Sequence, residues 1–471
     1  MEHIDNRRSA LIVTTIGSFM IPFMGSSIHI ALPSIGKEFK MDAVLLSWVT
    51  TSYLLTVAMF LVPFGRIADI YGRKRIFLLG VLIYTLSSLL STLSPSAFFL
   101  ILFRVFQGIG ASMTFSTGLA ILISVFPPGE RGKVLGINVA AVYLGLSCGP
   151  FLGGLLTHYF GWRSIFLTNL PLGLLILLLT FWKLREEWIE AKGEKFDVAG
   201  SILYCLTLVV MMYGLSLLPK IGGIFFILLS TLGFYLFIKW ETKTVSPIFD
   251  MDLFRNNRVF AFSNLAALIN YSATFAISFL LSLYLQLIKG LNPHEAGLIL
   301  VSQPIVQAVF SPFAGRLSDR IEPRKVASTG MVLTAIGLFL LTSLDEKTSI
   351  SFIITILILL GLGFALFSSP NTNAVMSSVE KEFYGIASGT LGTMRVIGMM
   401  FSMGMVMLIF AIYIGRTPII TPYYPFFIKS VKMLFIIFTL LGLGGIFASL
   451  SRGRVQLKET ADDEKSFIGR G

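Results

Sequence analysis

The stretch GRIADIYGRKR, residues 65–75, places five charged side chains within eleven residues of a chain in which only 13% of residues are charged. A loosely related stretch, GRLSDRIEPRK, occupies residues 315–325. Both copies keep a glycine and an aspartate four residues apart, and this spacing puts the two residues on one face of a helix. A charged turn that occurs twice predicts a chain built from two related halves.

The rest of the chain is strongly apolar. Hydrophobic residues make up 55% of its 471 residues, whereas a soluble domain usually carries about a quarter charged residues. Apolar runs of about 20 residues recur and predict membrane-spanning helices. The first run follows Arg7 and Arg8, but it is longer than a signal-peptide core, so we expect it to be retained. Fourteen spans are predicted, at residues 10–31, 44–64, 76–94, 98–126, 136–157, 164–182, 198–217, 221–238, 259–287, 295–314, 326–343, 350–369, 385–412 and 433–450.

The distribution of basic residues predicts the orientation. With the N-terminus in the cytoplasm, most of the 37 lysines and arginines fall on cytoplasmic segments, as the positive-inside rule requires. An even number of spans places the C-terminus in the cytoplasm too. The formal charge of +12 is then explained by cytoplasmic loops, and no nucleic-acid partner is predicted.

The separation of the two charged turns predicts the organisation of the halves. The turns follow spans 2 and 10, eight spans apart, whereas duplication of six helices would separate them by six. Spans 7 and 8 are therefore predicted to form an inserted hairpin. The expected fold is an all-α polytopic membrane protein of 14 helices arranged 6 + 2 + 6. It has an N-terminal six-helix bundle at residues 10–182, an inserted hairpin at 198–238, a C-terminal six-helix bundle at 259–450 and a cytoplasmic tail at 451–471.

Five segments resemble one known family. GRIADIYGRKR is similar to the loop G-x-x-x-D-x-x-G-R-[KR]-[KR] of the major facilitator superfamily. LILFRVFQGIGAS at 100–112 resembles its span-4 motif R-x-x-Q-G-x-G-A, and GLSCGPFLGG at 145–154 resembles the span-5 motif G-x-x-x-G-P-x-x-G-G of its exporters. GWRSIFLTNLP at 161–171 and GIASGTLGTMRVIG at 385–398 are similar to segments of the fourteen-span drug:proton antiporters (multidrug resistance exporters).

The resemblance implies that the charged turn controls the cytoplasmic gate. Asp69 is expected to lie against the start of span 13, near Gly385, when the cytoplasmic side is closed, because an acid at the membrane boundary needs a cation or a helix N-terminus. Pseudo-symmetry then places Asp319 near the start of span 5. The alternative is that the basic cluster only enforces topology. The candidate gating residues are Gly65, Asp69, Gly72, Arg73 and Asp319.

The span-5 motif predicts a close helix contact. Missing side chains let a second helix approach, and a proline bends the helix that carries it. The family resemblance implies a seal between the halves that favours export, and the alternative is tight packing without influence on direction. The residues are Gly145, Gly149, Pro150, Gly153 and Gly154.

Few ionisable groups are predicted within the membrane. Arg104 and Arg395 are the two cations placed inside predicted spans, and His29 lies near the outer end of span 1. Such groups normally face a cavity or a polar partner, so we treat all three as candidates for proton coupling or for charge in the membrane. Polar residues expected to line a substrate cavity are Asn270, Gln303, Gln307 and Asn373.

One departure from the family pattern concerns substrate charge. Exporters of cationic drugs usually resemble LDxTIVNVALP in span 1, whereas this chain has FMGSSIHIALP, with Met24 in place of the acid. The interiors of the predicted spans contain no aspartate or glutamate. The chain therefore predicts a neutral or anionic amphiphile as substrate, because an unpaired charge in a low dielectric is very costly. Proton coupling would use a peripheral group such as Asp69, His29 or Glu295, or a proton carried on the substrate.

These observations favour a monomeric secondary transporter in the lipid bilayer of the cytoplasmic membrane. It would export small drug-like compounds by alternating access, with the proton gradient as its energy source and no cofactor. The alternatives are a facilitator or symporter for a metabolite, and a receptor or scaffold that has lost transport. An enzyme is not expected, because the four histidines are scattered and no metal-ligand or nucleophile–base spacing occurs.

Overall fold

The computed structural model describes residues 2–244, 247–249, 251–380 and 383–453, and within these ranges the protein is helical without a β-strand. Among these residues, fourteen helices are long and apolar enough to cross a membrane, which confirms the predicted all-α fold. In chain order, α1–α14 span Asn6–Glu38, Ala43–Tyr71, Arg73–Thr92, Ala97–Val125, Gly129–Phe160, Ser164–Lys183, Val198–Leu217, Ile221–Glu241, Arg258–Ile288, Pro293–Arg320, Pro323–Leu341, Ile350–Ser377, Tyr384–Tyr413 and Thr421–Ser451. Most of the predicted tail, from residue 454, lies outside the described residues.

Several helices are longer than the apolar runs that predict them. Helix α2 continues to Tyr71 and α10 to Arg320, while α14 begins at Thr421. A helix satisfies its backbone groups internally, so it can continue beyond the hydrocarbon layer through polar residues. Helix α9 ends in a π-helical turn, Tyr284–Ile288, and α10 has a break between Leu300 and Ser302. A short helix, Met251–Asn256, precedes α9.

Helices α7 and α8, the predicted hairpin, pack against each other. The Tyr204 hydroxyl on α7 donates to the Ala58 carbonyl of α2 at 2.9 Å, and Gly404 of α13 lies against the Leu215 side chain of α7. Helix α7 thus contacts one helix from each six-helix group, while α8 leaves most of its side chains exposed. The exact bounds of the bundles stay a prediction.

The helix ends define two faces. At one face, here called the terminal face, α1 begins and α14 ends; the other is the distal face. Three hydrogen bonds join the two six-helix groups near the distal face. The Ala43 amide donates to the Thr417 carbonyl (3.2 Å), the Ser282 hydroxyl to the His29 carbonyl (2.7 Å) and the Gln286 amide to the Ile30 carbonyl (3.0 Å).

Glycines of α5 close the same face. A Cβ atom on Gly149 would overlap Ser26 of α1, and one on Gly154 would lie 2.5 Å from the Pro293 carbonyl oxygen of α10. Helix α10 contributes a glycine to the same contact, since a Cβ on Gly297 would overlap the Pro150 carbonyl of α5. Backbones in such contact leave no passage for a solute between α5 and α10.

The terminal face is open by comparison. On α5 the residues from Gly132 to Ala140 are largely exposed, and added Cβ atoms on Gly132 or Gly136 would meet no atom within 4 Å. The start of α13 behaves similarly, because Gly385 and Gly389 also have open space around them. The structure is therefore closed at the distal face and open at the terminal face.

The close α5–α10 contact makes a prediction about stability. Gly154→Ala would place a methyl group 2.5 Å from the Pro293 oxygen, so we expect a loss of about 1–3 kcal/mol of folding free energy, seen as a lower Tm in detergent. Gly136→Ala on the same helix is the matched control and should not lower the Tm, because its methyl group enters open space. Equal Tm values for the two variants would contradict the close contact.

Candidate functional site

The first charged turn lies at the terminal face and is built from the end of α2 and the start of α3. Gly72 joins the helices with φ +118°, a conformation that side-chain-bearing residues rarely adopt. The Arg73 guanidinium then folds back onto Asp69, with Nε 2.8 Å from Oδ1, and donates to the Ser124 hydroxyl of α4 at 2.5 Å. The Arg73 side chain is only 8% exposed, so these contacts hold a nearly buried cation.

An acidic strap, residues 187–194 between α6 and α7, covers this turn. Glu190 accepts two hydrogen bonds from the Arg73 guanidinium, at 2.6 and 2.8 Å. Glu187 accepts from the Lys74 backbone amide at 2.8 Å, and Glu194 pairs with Arg66. Backbone hydrogen bonds add to these, from Arg73 to the Trp188 carbonyl and from Ala191 to the Asp69 carbonyl, both at 3.0 Å. The strap was not among the residues predicted from sequence, although three glutamates spaced three and four residues apart could have indicated it.

The second charged turn is built differently. Pro323 stands four residues after Asp319, where the first turn has its arginine, so Asp319 has no equivalent of the Asp69–Arg73 pair. The Asn373 amide of α12 instead donates to the Ser318 hydroxyl at 2.7 Å and reaches Asp319 Oδ1 at 3.5 Å. These residues line a cavity of about 350 Å³ at the terminal face, together with Tyr384 of α13.

The second half contains a fully buried arginine close to its charged turn. Arg452, directly after α14, donates to the Ser449 carbonyl, to the Asn371 amide oxygen of α12 at 3.1 Å and to the Ser263 hydroxyl of α9 at 3.3 Å. Burial lowers the pKa of Arg452 to about 10, and the nearby Arg324 acts in the same direction. The sequence pattern assigns Arg452 to the polar tail; in the structure it donates to neutral acceptors from α9, α12 and α14, and the Glu322 carboxylate also acts on its charge.

We expect the two acids that contact Arg73 to have different roles, Asp69 in transport and Glu190 in stability. Asp69→Asn should slow transport while expression and Tm stay close to wild type, because Glu190 still pairs with Arg73. Glu190→Gln weakens the bidentate contact to a nearly buried cation and should lower the Tm by an amount equivalent to about 1–3 kcal/mol. Glu346→Gln, on the distal face, is the control for loss of one carboxylate. Wild-type transport rates in Asp69→Asn would count against a gating role for this aspartate.

Arg104 lies in the interior of the first half and is 1% exposed. Its Nε donates to the Val49 carbonyl at 3.1 Å, its Nη1 to Gln107 Oε1 at 2.5 Å, and its guanidinium lies 4.2 Å from the centre of the Tyr53 ring. Gln107 in turn donates to the Ser88 hydroxyl of α3 at 2.8 Å. Neutral acceptors and an aromatic face therefore hold this cation, and its Nη2 has no hydrogen-bond partner among the described residues.

Arg395 occupies a different environment. It lies eleven residues after the start of α13, roughly 16 Å along the helix, and its side chain is partly exposed. Its Nη2 donates to the Thr372 hydroxyl of α12 at 2.7 Å, and its guanidinium lies 5.8 Å from the centre of the Tyr271 ring of α9. The ion pairs found among the described residues do not include Arg395. Its positive charge is therefore not neutralised by a carboxylate among the described residues.

The predicted cavity residues do not form one cluster. Asn270 is buried on α9 without a hydrogen-bond partner for its Nδ2 in the described structure, and Gln307 is nearly buried on α10. The backbone of Gln303 packs against Gly361 of α12. Asn373 lies with Asp319 at the terminal face.

His29 lies at the closed distal seam, where its backbone carbonyl accepts the hydrogen bond from Ser282. Its ring is 3% exposed, and Phe275 and Phe279 of α9 present their rings to it. No group of three His, Cys, Asp or Glu side chains among the described residues could hold a metal ion.

A bundle of fourteen apolar helices, closed at one face and open at the other, with a partly exposed arginine in its interior, defines a membrane transporter. The family model described as Major Facilitator Superfamily matches residues 14–257 and 264–467. The chain therefore belongs to the major facilitator superfamily, whose members are transporters rather than enzymes.

Curated relatives and a solved structure agree with this assignment. The chain is 33% identical to the riboflavin transporter RibZ of Clostridioides difficile (82% of this chain, 84% of that protein) and 34% identical to the multidrug resistance protein Stp of Mycobacterium tuberculosis (82% and 73%). It is 28% identical to the tetracenomycin C resistance and export protein of Streptomyces glaucescens (80% and 71%). The fold matches a bacterial homologue of the human lysosomal transporter Spinster, in an inward-facing and unoccupied conformation, with TM-score 0.66 and 16% identity over 95% and 97% of the chains.

Proposed function

We propose that this protein is a secondary active transporter that exports small amphiphilic compounds from the cytoplasm by alternating access, in exchange for protons. In this proposal the chain works as a monomer in the cytoplasmic membrane, its terminal face is the cytoplasmic face, and its substrates are neutral or anionic. The export direction is supported by the similarity to the multidrug resistance protein Stp and to the tetracenomycin C export protein.

The observation that carries the substrate class is the environment of Arg395. A guanidinium in the interior of the bundle, bonded to one hydroxyl and open to the terminal side, attracts an acceptor or an anion. A cationic substrate would meet the like charge of Arg395 there, and the cation–π attraction of the Tyr271 ring, about 0.5–2 kcal/mol, is small beside the cost of removing a cation from water. The nearby Tyr271 ring offers a surface for the planar part of an amphiphile.

A second candidate function is supported by one relative. RibZ is named a riboflavin transporter, and its identity to this chain is similar to that of Stp. Riboflavin is a neutral aromatic amphiphile, so it belongs to the substrate class proposed here. The alternative is therefore a facilitator or symporter that moves such a metabolite inward through the same site.

The Arg395 site can be tested with purified protein in liposomes. An anionic aromatic dye, riboflavin and ethidium would be compared as substrates, with and without a pH gradient. We expect Arg395→Gln to raise the KM for the anionic dye by about 10-fold or more, since a hydrogen bond to a charged group contributes about 1.5–3 kcal/mol. The KM for a neutral substrate should change less.

Arg255→Gln provides the matched control, because this arginine is exposed near the terminal face on the short helix before α9. It should leave all KM values near wild type. Gradient-driven transport of ethidium at rates matching the anionic dye, unaffected by Arg395→Gln, would contradict the proposed substrate class. Accumulation of substrate against the export direction would favour the importing alternative.

A further inference from the structure

Three of the four histidines of the chain lie where the two halves meet at the distal face. His29 lies at the α1–α9 seam, whereas His158 and His294 lie at the α5–α10 seam. The His294 ring centre is 6.0 Å from that of Phe151 and 6.5 Å from that of Tyr159, which in turn contacts His158 at 4.7 Å. The family resemblance explains none of these positions, and no carboxylate occupies the interiors of the predicted spans.

His29 is the most enclosed of the three. Its ring packs edge-on against Phe275 at 5.4 Å and Phe279 at 6.3 Å, both from the opposite half. Its Nδ1 and Nε2 are both buried without a hydrogen-bond partner in the described part of the chain. An imidazole carries at least one N–H donor, so this seam buries a polar group that it does not satisfy.

The groups around His29 oppose a positive charge. Among the described residues, the charged side chain that acts on the imidazole is Arg104 of α4, with the titratable Tyr53 of α2 and Tyr84 of α3 beside that guanidinium. Helix α9 presents Phe275 and Phe279 to the ring and its Ser282 hydroxyl to the His29 carbonyl, and α5 packs its glycine backbone against the neighbouring Ser27. A second cation here would have a like charge nearby, and neither ring nitrogen has an acceptor within hydrogen-bond distance among the described residues.

We infer that His29 is an acid-sensitive control element of the distal gate, and that a proton on its imidazole opens the α1–α9 seam toward the distal side. The closed seam has no place for the protonated ring, whereas opening hydrates both nitrogens and removes the ring from Phe275. The hydrogen bonds from Ser282 and Gln286 to the backbone at His29 and Ile30 break in the same movement. A protonated His29 imidazole is therefore incompatible with the closed seam.

The size of the effect follows from proton linkage. A hydrated imidazole is half-protonated near pH 6.5. If only the open gate accepts the proton, the ratio of open to closed gate increases by the factor 1 + 10^(6.5 − pH). Between pH 8 and pH 5.5 the ratio of open to closed distal gate should therefore rise by about 10-fold for one histidine. This control element rests on the proposed alternating access, but it biases the gate and does not by itself carry a proton across the membrane.

The test measures the gate directly and needs no substrate. Spin labels at Lys37→Cys and Lys347→Cys, two exposed distal positions on opposite halves, would report the width of the seam in a Cys148→Ser, Cys205→Ser background. Double electron–electron resonance of this protein in lipid nanodiscs should show the longer-distance population growing about 10-fold relative to the shorter one between pH 8 and pH 5.5. His29→Phe, which suits the aromatic surroundings, should remove this pH dependence and keep the short distance.

His294→Gln is the matched control at the other seam and should leave the pH dependence in place. An unchanged pH response in His29→Phe, or no pH response in the otherwise unmodified labelled protein, would overturn the inference. Because the readout is a distance, absence of export of the dyes would overturn the proposed function without affecting this result. If His29→Phe fails to fold, His29→Leu repeats the comparison.

Discussion

Burying an ionised side chain in a hydrocarbon layer costs several kcal/mol unless other groups compensate its charge, and this cost organises the whole molecule. Arg104 is compensated by a carbonyl, an amide and an aromatic face, and Arg73 by two carboxylates at the membrane boundary. Arg452 is held by neutral acceptors from three helices. Only Arg395, among these four, keeps its charge open to one side, which makes it the centre of the proposed substrate site.

The cost of burying charge also explains why the distal face closes through neutral groups. At the distal face, backbone approaches backbone through glycines, and three hydrogen bonds from neutral groups complete the seam. Such contacts are individually weak, so they can break and re-form during a transport cycle. At the terminal face the acidic strap ties the first charged turn within its own half and leaves the start of α13 free. Contact of Asp69 with Gly385 is expected only when the terminal face is closed.

Much of this architecture could be predicted from the sequence because it depends on local pattern. Apolar runs predict the fourteen spans, and the two charged turns predict the related halves. The acidic strap and Arg452 could not be found in this way, because their partners come from helices far away in the chain. Arg452 carries no local sign of burial; it is buried because α9 and α12 present Ser263 and Asn371 at its level. The ends of several helices, such as α2 and α10, were also missed, since these helices continue through polar residues that no apolar run reveals.

Alternating access requires the distal seam to open in every transport cycle. Ile30→Cys and Gln286→Cys in the cysteine-free background would place thiols on either side of the seam, where the Gln286 amide now lies 3.0 Å from the Ile30 carbonyl. Transport of a compound that the wild-type protein moves would be measured in liposomes before and after joining the two cysteines with a short cleavable cross-linker. We predict that cross-linking stops transport and that reduction restores it. Undiminished transport by fully cross-linked protein would contradict it.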